Sequence, residues 1–292
     1  MAETKVLSVD GAEIVYDVYG PLPPADGRPV LLMIGQPMDA SGFRALAPRF
    51  GDRTVVAYDP RGLGRSPRSD GRVDNDPVTQ AEDLHALIAE LGAGPVEVFG
   101  SSGGAVTGLQ LVTAHPEDVV TLVAHEPPII GVLPDAEAAH RASKRFRDTY
   151  QAQGWGHGMA GFMALGMWQG EFTDAYFAQP APDPAMFGMP TEDDGSRDDP
   201  LLSDHSLAVT DYELDVDALA AAPTRVVIGV AEETAGTFTA RTSVATAERL
   251  GQEAVVFPSH HGGFLDGEFG WPGKPDEFAV VLRDVLDGVS VR

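Results

Sequence analysis

The chain has 292 residues, 43% of them hydrophobic, which is enough to bury a sizeable core in one large domain or two small ones. It contains no cysteine, which excludes disulfide bonds, thiolate metal sites and a cysteine nucleophile. The formal net charge of −24 disfavours binding to the phosphate backbone of nucleic acids. The sequence shows no secretory-signal pattern and no run of about 18 apolar residues, so we expect no membrane association and a cytoplasmic location.

Short apolar runs alternate with helical patterns along most of the chain. The eight predicted strands cover residues 5–9, 13–19, 30–34, 54–58, 96–99, 119–124, 225–230 and 254–257. The predicted helices cover residues 41–50, 78–91, 103–114, 239–250 and 276–286. Several strand runs are apolar without alternation, which is typical of strands covered on both faces. Strand–helix alternation therefore predicts a mostly parallel sheet, with the first two strands forming an antiparallel hairpin at its edge.

The alternation stops between residues 128 and 217, where no strand pattern appears. This interval carries many of the large apolar side chains, including most of the methionines. We predict that it forms a small helical cap on a core made by residues 1–127 and 218–292. Methionine and aromatic side chains make adaptable apolar pocket walls, so we expect some of them to contact a hydrophobic small-molecule substrate. The candidates for this contact are Met163 and Trp168.

The segment GSSGG at residues 100–104 fits the pattern G-x-S-x-G. It directly follows the predicted strand 96–99 and opens the predicted helix 103–114, which is the strand–turn–helix setting of a nucleophile elbow. Glycines two residues on either side of the serine prevent clashes in the sharp turn, and the helix N-terminus favours developing negative charge. The pattern predicts Ser102 as the nucleophile, because Ser101 lacks a glycine two residues before it. The alternative is a glycine-rich turn that binds an anion or has no chemical role.

A second motif, DPRGLGRS at residues 59–66, follows the fourth predicted strand. It resembles the D-x-R-G-x-G-x-S turn of the α/β-hydrolase fold family, and the resemblance covers essentially the whole chain outside the insertion. The resemblance implies an α/β-hydrolase fold, which is an eight-stranded, mostly parallel sheet with helices on both faces and a helical cap insertion. Residues 59–66 are chiefly structural in that family, so we assign them no chemistry.

The resemblance also implies a catalytic histidine in the loop between the last strand and the final helix. Residues 257–264, FPSHHGGF, occupy this place. The family commonly shows H-x-G-F there, which selects His261 over His260. An imidazole at this position can accept the proton of Ser102 and later return it to the leaving group.

Two carboxylates are candidates for the acid that orients this imidazole. Most family members place the acid after the strand that corresponds to residues 225–230, where Glu232 stands in this chain without the usual G-x-x-D pattern. A minority place it after the preceding strand, where Glu126 stands. The segments around Ser102, Glu126 and His261 are similar to those of zearalenone-type lactone hydrolases, which use a glutamate at this place. We therefore favour Glu126 and keep Glu232 as the alternative.

Acyl transfer also needs backbone N–H groups that stabilise the tetrahedral oxyanion. One donor is expected from Gly103, the residue after the nucleophile. The other is expected from the loop after the third strand, where we assign it to Gln36. Pro37 has no N–H and cannot serve.

Together these residues predict a serine hydrolase that cleaves a carboxylic ester or lactone of a hydrophobic small molecule through an acyl-enzyme, with no metal or organic cofactor. One alternative is the same triad acting on a C–C, thioester or amide bond, or in perhydrolysis. Another is a non-hydrolytic ligand-binding protein on this fold. Haloalkane dehalogenase and epoxide hydrolase chemistry is disfavoured, because those family members usually carry Asp where this chain has Ser102. The sequence leaves the oligomeric state open, with a homodimer among the options.

Overall fold

The computed structural model describes residues 2–268 and 270–289 of the chain. At its centre is a sheet of eight strands in the spatial order β1-β2-β4-β3-β5-β6-β7-β8. The strands are β1 (Glu3–Val9), β2 (Ala12–Tyr19), β3 (Leu31–Gln36), β4 (Val55–Tyr58), β5 (Val96–Ser102), β6 (Val119–His125), β7 (Arg225–Ala231) and β8 (Val255–Phe257). The pairs β1–β2 and β2–β4 are antiparallel and the remaining pairs are parallel. The predicted sheet and its antiparallel edge hairpin are thus confirmed.

All but the last of the described helices lie in the connections between the strands, and the last one follows β8. They are α1 (Pro77–Leu91), α2 (Gly103–Ala114), α3 (Ala136–Gln153), α4 (Trp155–Met167), α5 (Asp174–Phe177), α6 (Leu207–Thr210), α7 (Val216–Ala221), α8 (Phe238–Arg249) and α9 (Pro275–Leu286). Within the described ranges, none of them combines the length and hydrophobicity that a membrane span requires.

Two apolar layers cover the faces of the sheet. Successive residues of a strand point to opposite faces, so each central strand contributes to both layers. On β3, Leu32 and Ile34 pack into the layer that includes α1 and α2. Leu31 and Met33 pack into the layer that includes α9. Because both faces are buried, these strands need apolar residues at every position, which explains their continuous hydrophobic runs.

The helix predicted over residues 41–50 is wrong in detail. Two short 3-10 turns, Ala40–Phe43 and Ala47–Phe50, occupy this segment. Pro48 explains the difference, because it has no N–H to donate to the carbonyl of Arg44 and its ring would clash with that turn of an α-helix.

The helices α3 to α7 fill the connection between β6 and β7. Residues of α3, α4 and α5 share an apolar cluster, whereas Val209 of α6 and Leu219 of α7 pack into the layer that includes α1 and α2. The two longest, α3 and α4, pack closely where Gly158 meets Tyr150, since a Cβ on Gly158 would lie 2.6 Å from the Cβ of Tyr150. Their cluster also includes Phe238 of α8, so the insertion packs against the rest of the chain. The division into a core of residues 1–127 and 218–292 and a cap of residues 128–217 stays a prediction.

The turn after β4, residues 59–66, is held by two buried carboxylates. Asp59 accepts hydrogen bonds from the backbone N–H groups of Ala40 at 3.0 Å and of Arg65 at 2.7 Å, which ties the loop after β3 to this turn. Arg61 donates two parallel hydrogen bonds to Asp83 of α1, at 2.6 and 2.5 Å. Both side chains of this ion pair are almost fully buried. The turn therefore connects the loop after β3 to helix α1.

Replacing Arg61 by alanine should lower the free energy of unfolding by about 3 kcal/mol, because it leaves the Asp83 carboxyl buried without its partner. Burial already raises the pKa of Asp83 although Arg61 opposes this effect, so the unpaired carboxyl would fold only as the protonated acid. Urea unfolding of both proteins measures the difference. Arg72→Ala is the matched control, because Arg72 forms its ion pair with Asp74 in solvent and its loss should change the stability little. Equal effects of the two substitutions would contradict this assignment.

Candidate active site

Ser102 occupies the sharp turn between β5 and α2. Its backbone has φ 56° and ψ −123°, a conformation that residues with a side chain rarely adopt. The turn is possible only because its neighbours lack side chains. A Cβ on Gly104 would lie 2.4 Å from the carbonyl oxygen of Ile34, and one on Gly100 would lie 2.7 Å from the carbonyl oxygen of Gly104. The two flanking glycines of the sequence pattern thus allow α2 to begin directly against β3.

His261 lies in the loop after β8 and forms a hydrogen bond with Glu126, which directly follows β6. The distance from His261 Nδ1 to Glu126 Oε2 is 2.5 Å. The imidazole is 40% exposed, whereas the carboxylate is fully buried. This bond leaves Nε2 as the ring nitrogen that is available to another group.

The register of the sheet brings Ser102 to the same edge. Ser101 pairs with His125 across β5 and β6, and the ring centroid of His125 is 6.2 Å from that of His261. Within the described residues the Ser102 hydroxyl makes no hydrogen bond to His261. In ligand-free enzymes, catalytic hydrogen bonds often tighten only when substrate binds. Ser102, Glu126 and His261 thus belong to one edge of the sheet, and the structure shows the contact between the last two.

The Glu126 carboxylate is fully supplied with hydrogen-bond donors. Its Oε1 accepts from the backbone N–H of Ala231 at 3.1 Å and from the hydroxyl of Thr234, and its Oε2 accepts from the hydroxyl of Thr239 at 2.9 Å in addition to His261. Burial alone would raise the pKa of Glu126, but the surrounding hydrogen bonds and charges, those of His261 foremost, together outweigh burial, so the pKa lies below its ordinary value. The group is therefore an ionised carboxylate that is suited to stabilise an imidazolium.

Neither of the competing residues of the sequence analysis, Glu232 and His260, has a side-chain hydrogen bond to Glu126 or His261 among the described residues. Glu232 is exposed in a 3-10 turn after β7, and its neighbour Glu233 pairs with Lys274 at 3.1 Å. The two ring nitrogens of His260 interact with the backbone of its own loop, at 3.2 and 3.1 Å. Within the described residues, His261 is bonded to Glu126 and not to Glu232.

Sequence reasoning overlooked His125, the last residue of β6. Its side chain is fully buried against Phe257 and Phe278, with ring centroids 5.4 and 5.3 Å away. Burial lowers the pKa of His125 to about 4 from an ordinary 6.5, although the charge of Glu126 opposes this shift. The imidazole of His125 is therefore neutral and does not form an ion pair with Glu126 in place of His261. The only signal in the sequence is a histidine that ends an otherwise apolar strand.

The two residues predicted to supply the oxyanion donors are in direct contact. Gln36 ends β3 and pairs in register with Ser102 of β5. A Cβ on Gly103 would lie 2.8 Å from the side-chain oxygen of Gln36 and 2.9 Å from its carbonyl oxygen. Gly103 is thus required here, because a side chain would collide with Gln36. Its N–H lies at the start of α2, beside the end of β3. Their role as oxyanion donors stays a prediction.

The predicted substrate contacts of the cap differ in their surroundings. Trp168 packs into the apolar cluster of the cap, with its ring centroid 5.3 Å from that of Tyr176, and its Nε1 donates to the carbonyl of Glu171 at 3.0 Å. Met163 of α4 is half-buried and is not part of that cluster. Among the described residues, Trp168 thus has a structural role in the cap, and the substrate contacts of both residues stay predictions.

One group of side chains outside this site has metal-ligand chemistry. The ligand atoms of His85, His115 and Asp118 lie within 4.8 Å of one another. The two imidazoles are stacked with centroids 3.9 Å apart and planes 10° apart, so their in-plane lone pairs do not converge on one point. Each ring also contacts a carboxylate, His85 with Asp118 at 2.6 Å and His115 with Glu82 at 2.9 Å. This geometry is typical of paired hydrogen bonds and unsuited to a shared ion.

Comparison with known proteins agrees with the fold. A family model described as alpha/beta hydrolase fold matches residues 28–163. The chain is 39% identical over 128 residues to the uncharacterized hydrolase YraK of Bacillus subtilis, and 32% identical over 124 residues to a proline iminopeptidase of Xylella fastidiosa. These segments cover 44% and 41% of this chain and 45% and 38% of the relatives, so less than half of each relative is matched.

A thermophilic esterase from Thermogutta terrifontis is similar in structure, with a TM-score of 0.62 and 20% identity over 100% of both chains. At this identity the likeness concerns the fold alone. The family model and this likeness show that the chain has an α/β-hydrolase fold.

The pH dependence of stability should reveal the neutral state of His125. Its pKa is lower in the folded state than the ordinary 6.5, so the unfolded chain binds the proton more readily. The stability that this group contributes is present above pH 6.5 and is lost as the pH falls towards 4. Urea unfolding between pH 7 and pH 5 should show a smaller loss of stability in His125→Leu than in the unchanged protein.

The exposed His140, paired with Asp211 on the cap surface, provides the control for this experiment. His140→Leu should still show the pH dependence that His125 contributes, because the buried imidazole is left in place. If His125→Leu retained it as well, a neutral His125 would be disproved.

Proposed function

We propose that the protein is a serine hydrolase that cleaves a carboxylic ester or lactone of a hydrophobic small molecule. The observation that carries the proposal is the hydrogen bond between the buried Glu126 and the partly exposed His261, at the sheet edge where Ser102 occupies a strained turn. A solvent-accessible imidazole paired with a buried carboxylate is the arrangement that turns a serine hydroxyl into a nucleophile.

The reaction follows from these positions. Ser102 Oγ attacks the carbonyl carbon while His261 Nε2 takes its proton, and the Glu126 carboxylate stabilises the resulting imidazolium. The backbone N–H groups of Gln36 and Gly103 hold the oxyanion of the tetrahedral intermediate. When this intermediate collapses, the C–O bond to the alkoxide breaks and His261 donates the proton to it. Water, deprotonated by His261, then attacks the acyl carbon. The C–O bond to Ser102 breaks, His261 returns the proton to Ser102 Oγ, and the carboxylic acid is released.

The substrate class follows from the cap and the surface charge. The insertion between β6 and β7 is rich in methionine and aromatic residues, which supply apolar and adaptable pocket walls. Met163, half-buried and outside the cap's own cluster, is the candidate for such a wall. The net charge of −24 disfavours a polyanionic substrate.

Amide cleavage is the second candidate function. It is favoured by the likeness of about two fifths of the chain to a proline iminopeptidase. The same residues could act on an amide, but the leaving amine would need protonation by His261 before the C–N bond breaks. Rates on an ester and an amide of the same acyl group separate the two functions.

Substituting Ser102 by alanine should lower the rate of p-nitrophenyl ester hydrolysis by about 10³-fold or more, because the acyl-enzyme can no longer form. A serine-reactive organophosphonate should add to the unchanged protein and not to this variant, as measured by intact-protein mass spectrometry. The neighbouring Ser101→Ala is the matched control and should retain both properties. A protein that neither hydrolyses such esters nor takes the label would overturn the proposal.

Glu126→Gln should lower kcat by about 10³- to 10⁴-fold, since a neutral amide can neither stabilise the imidazolium nor hold the required tautomer. Glu232→Gln should leave kcat unchanged, because Glu232 is exposed and makes no contact with His261 among the described residues. Steady-state kinetics on one ester compare the two variants. The reverse result would move the acid to Glu232.

A further inference from the structure

The Gln36 side chain is a buried polar group that the proposed mechanism does not use. It is 3% exposed, and within the described residues neither Oε1 nor Nε2 has a hydrogen-bond partner. A buried donor or acceptor without a partner costs free energy, whereas an apolar side chain of the same shape does not. A methionine would fill this space without that cost. Packing therefore does not explain why a carboxamide stands at this position.

The position of this carboxamide, beside the turn that carries Ser102, points to a role in substrate binding. Gln36 ends β3 in register with Ser102, and its Oε1 lies 2.8 Å from the point where a Cβ on Gly103 would stand. The side chain is therefore beside the first residue of α2, where the reacting carbonyl group is expected. Neither Ser102 nor His261 is bonded to it in the described part of the chain.

A carboxamide presents one donor and one acceptor side by side, about 2 Å apart. A hydroxyl group matches this pair, because it donates to Oε1 and accepts from Nε2 at the same time. The backbone N–H of Gln36 is already assigned to the oxyanion. A substrate group that hydrogen-bonds to the Gln36 side chain is therefore attached close to the reacting carbonyl carbon.

We propose that the Gln36 carboxamide is a specificity-determining contact that recognises a hydroxyl on the carbon next to the reacting carbonyl of the acyl group. This inference rests on the proposed serine hydrolase function and narrows its substrate class to esters and lactones of 2-hydroxy acids with an otherwise apolar acyl chain. A site built to hydrogen-bond a substrate hydroxyl discriminates strongly against the analogue that lacks it, because the buried groups of the protein then remain unpaired.

The test compares two phenyl esters that differ only in the hydroxyl, phenyl 2-hydroxyhexanoate and phenyl hexanoate. The ratio of their kcat/KM values is measured for the unchanged protein and for Gln36→Met, which keeps the length of the side chain and removes both polar atoms. The ratio should be at least about tenfold in favour of the hydroxy ester and should fall about tenfold or more in Gln36→Met. The intrinsic difference in reactivity between the esters is the same for both proteins and cancels.

Gln80→Met is the matched control. Gln80 is also a buried glutamine with an unpartnered Nε2, but it lies on α1 and contacts Thr107 of α2. This variant should keep the ratio of the unchanged protein. The thermal midpoint of Gln36→Met should equal or exceed that of the unchanged protein, since the substitution removes an unsatisfied buried amide.

Each outcome separates this inference from the proposed function. If neither ester is hydrolysed, the proposed function itself fails. If both are hydrolysed and Gln36→Met slows them equally, the carboxamide contacts the oxyanion or only packs, and the inference is overturned. A lower thermal midpoint in Gln36→Met would show that the carboxamide has partners in the free protein, which also overturns it.

Discussion

The buried hydrogen bond between Glu126 and His261 is the interaction on which the site depends. Removing a carboxylate from water costs several kcal/mol unless its lone pairs are satisfied. Here the donors come from the residue that ends β7, from the turn after it, from α8 and from the loop after β8. The donors lie 105 to 135 positions after Glu126, in residues 231–239 and in the loop after β8, so distant parts of the chain must meet at one carboxylate before His261 is oriented. The carboxyl edge of a parallel sheet is the place where such segments come together.

A second constraint acts at the level of the backbone. The turn at Ser102 and the start of α2 approach β3 so closely that Gly103 and Gly104 leave no room for a side chain. The same approach brings Gln36 beside Gly103 and in register with Ser102. Donor groups held by sheet register and close packing require little reorganisation when charge develops, which is the property that an oxyanion site needs.

Part of the insertion between β6 and β7 packs around an apolar cluster that is separate from the two layers covering the sheet. Its aromatic residues, such as Trp168 and Tyr176, pack mainly against one another, which gives the insertion a core of its own. The loop that leads from β3 towards the site is held instead by Asp59 in the turn after β4. The packing of the insertion and the arrangement of the sheet edge thus rest on different contacts.

The sequence by itself determined the features whose signals lie within a few neighbouring residues. The continuous apolar runs identified the strands because both sheet faces are covered, and the glycines around Ser102 identified the turn because they are needed within that turn. The effect of Pro48, which prevents a continuous helix over residues 41–50, is equally local, although the apolar pattern of that segment concealed it. Which carboxylate lies against His261 was decided only by the tertiary structure, because Glu126 and His261 are 135 positions apart. The neutral state of His125 and the unpartnered amide of Gln36 were also decided there, since burial and hydrogen bonding depend on neighbours that no local pattern specifies.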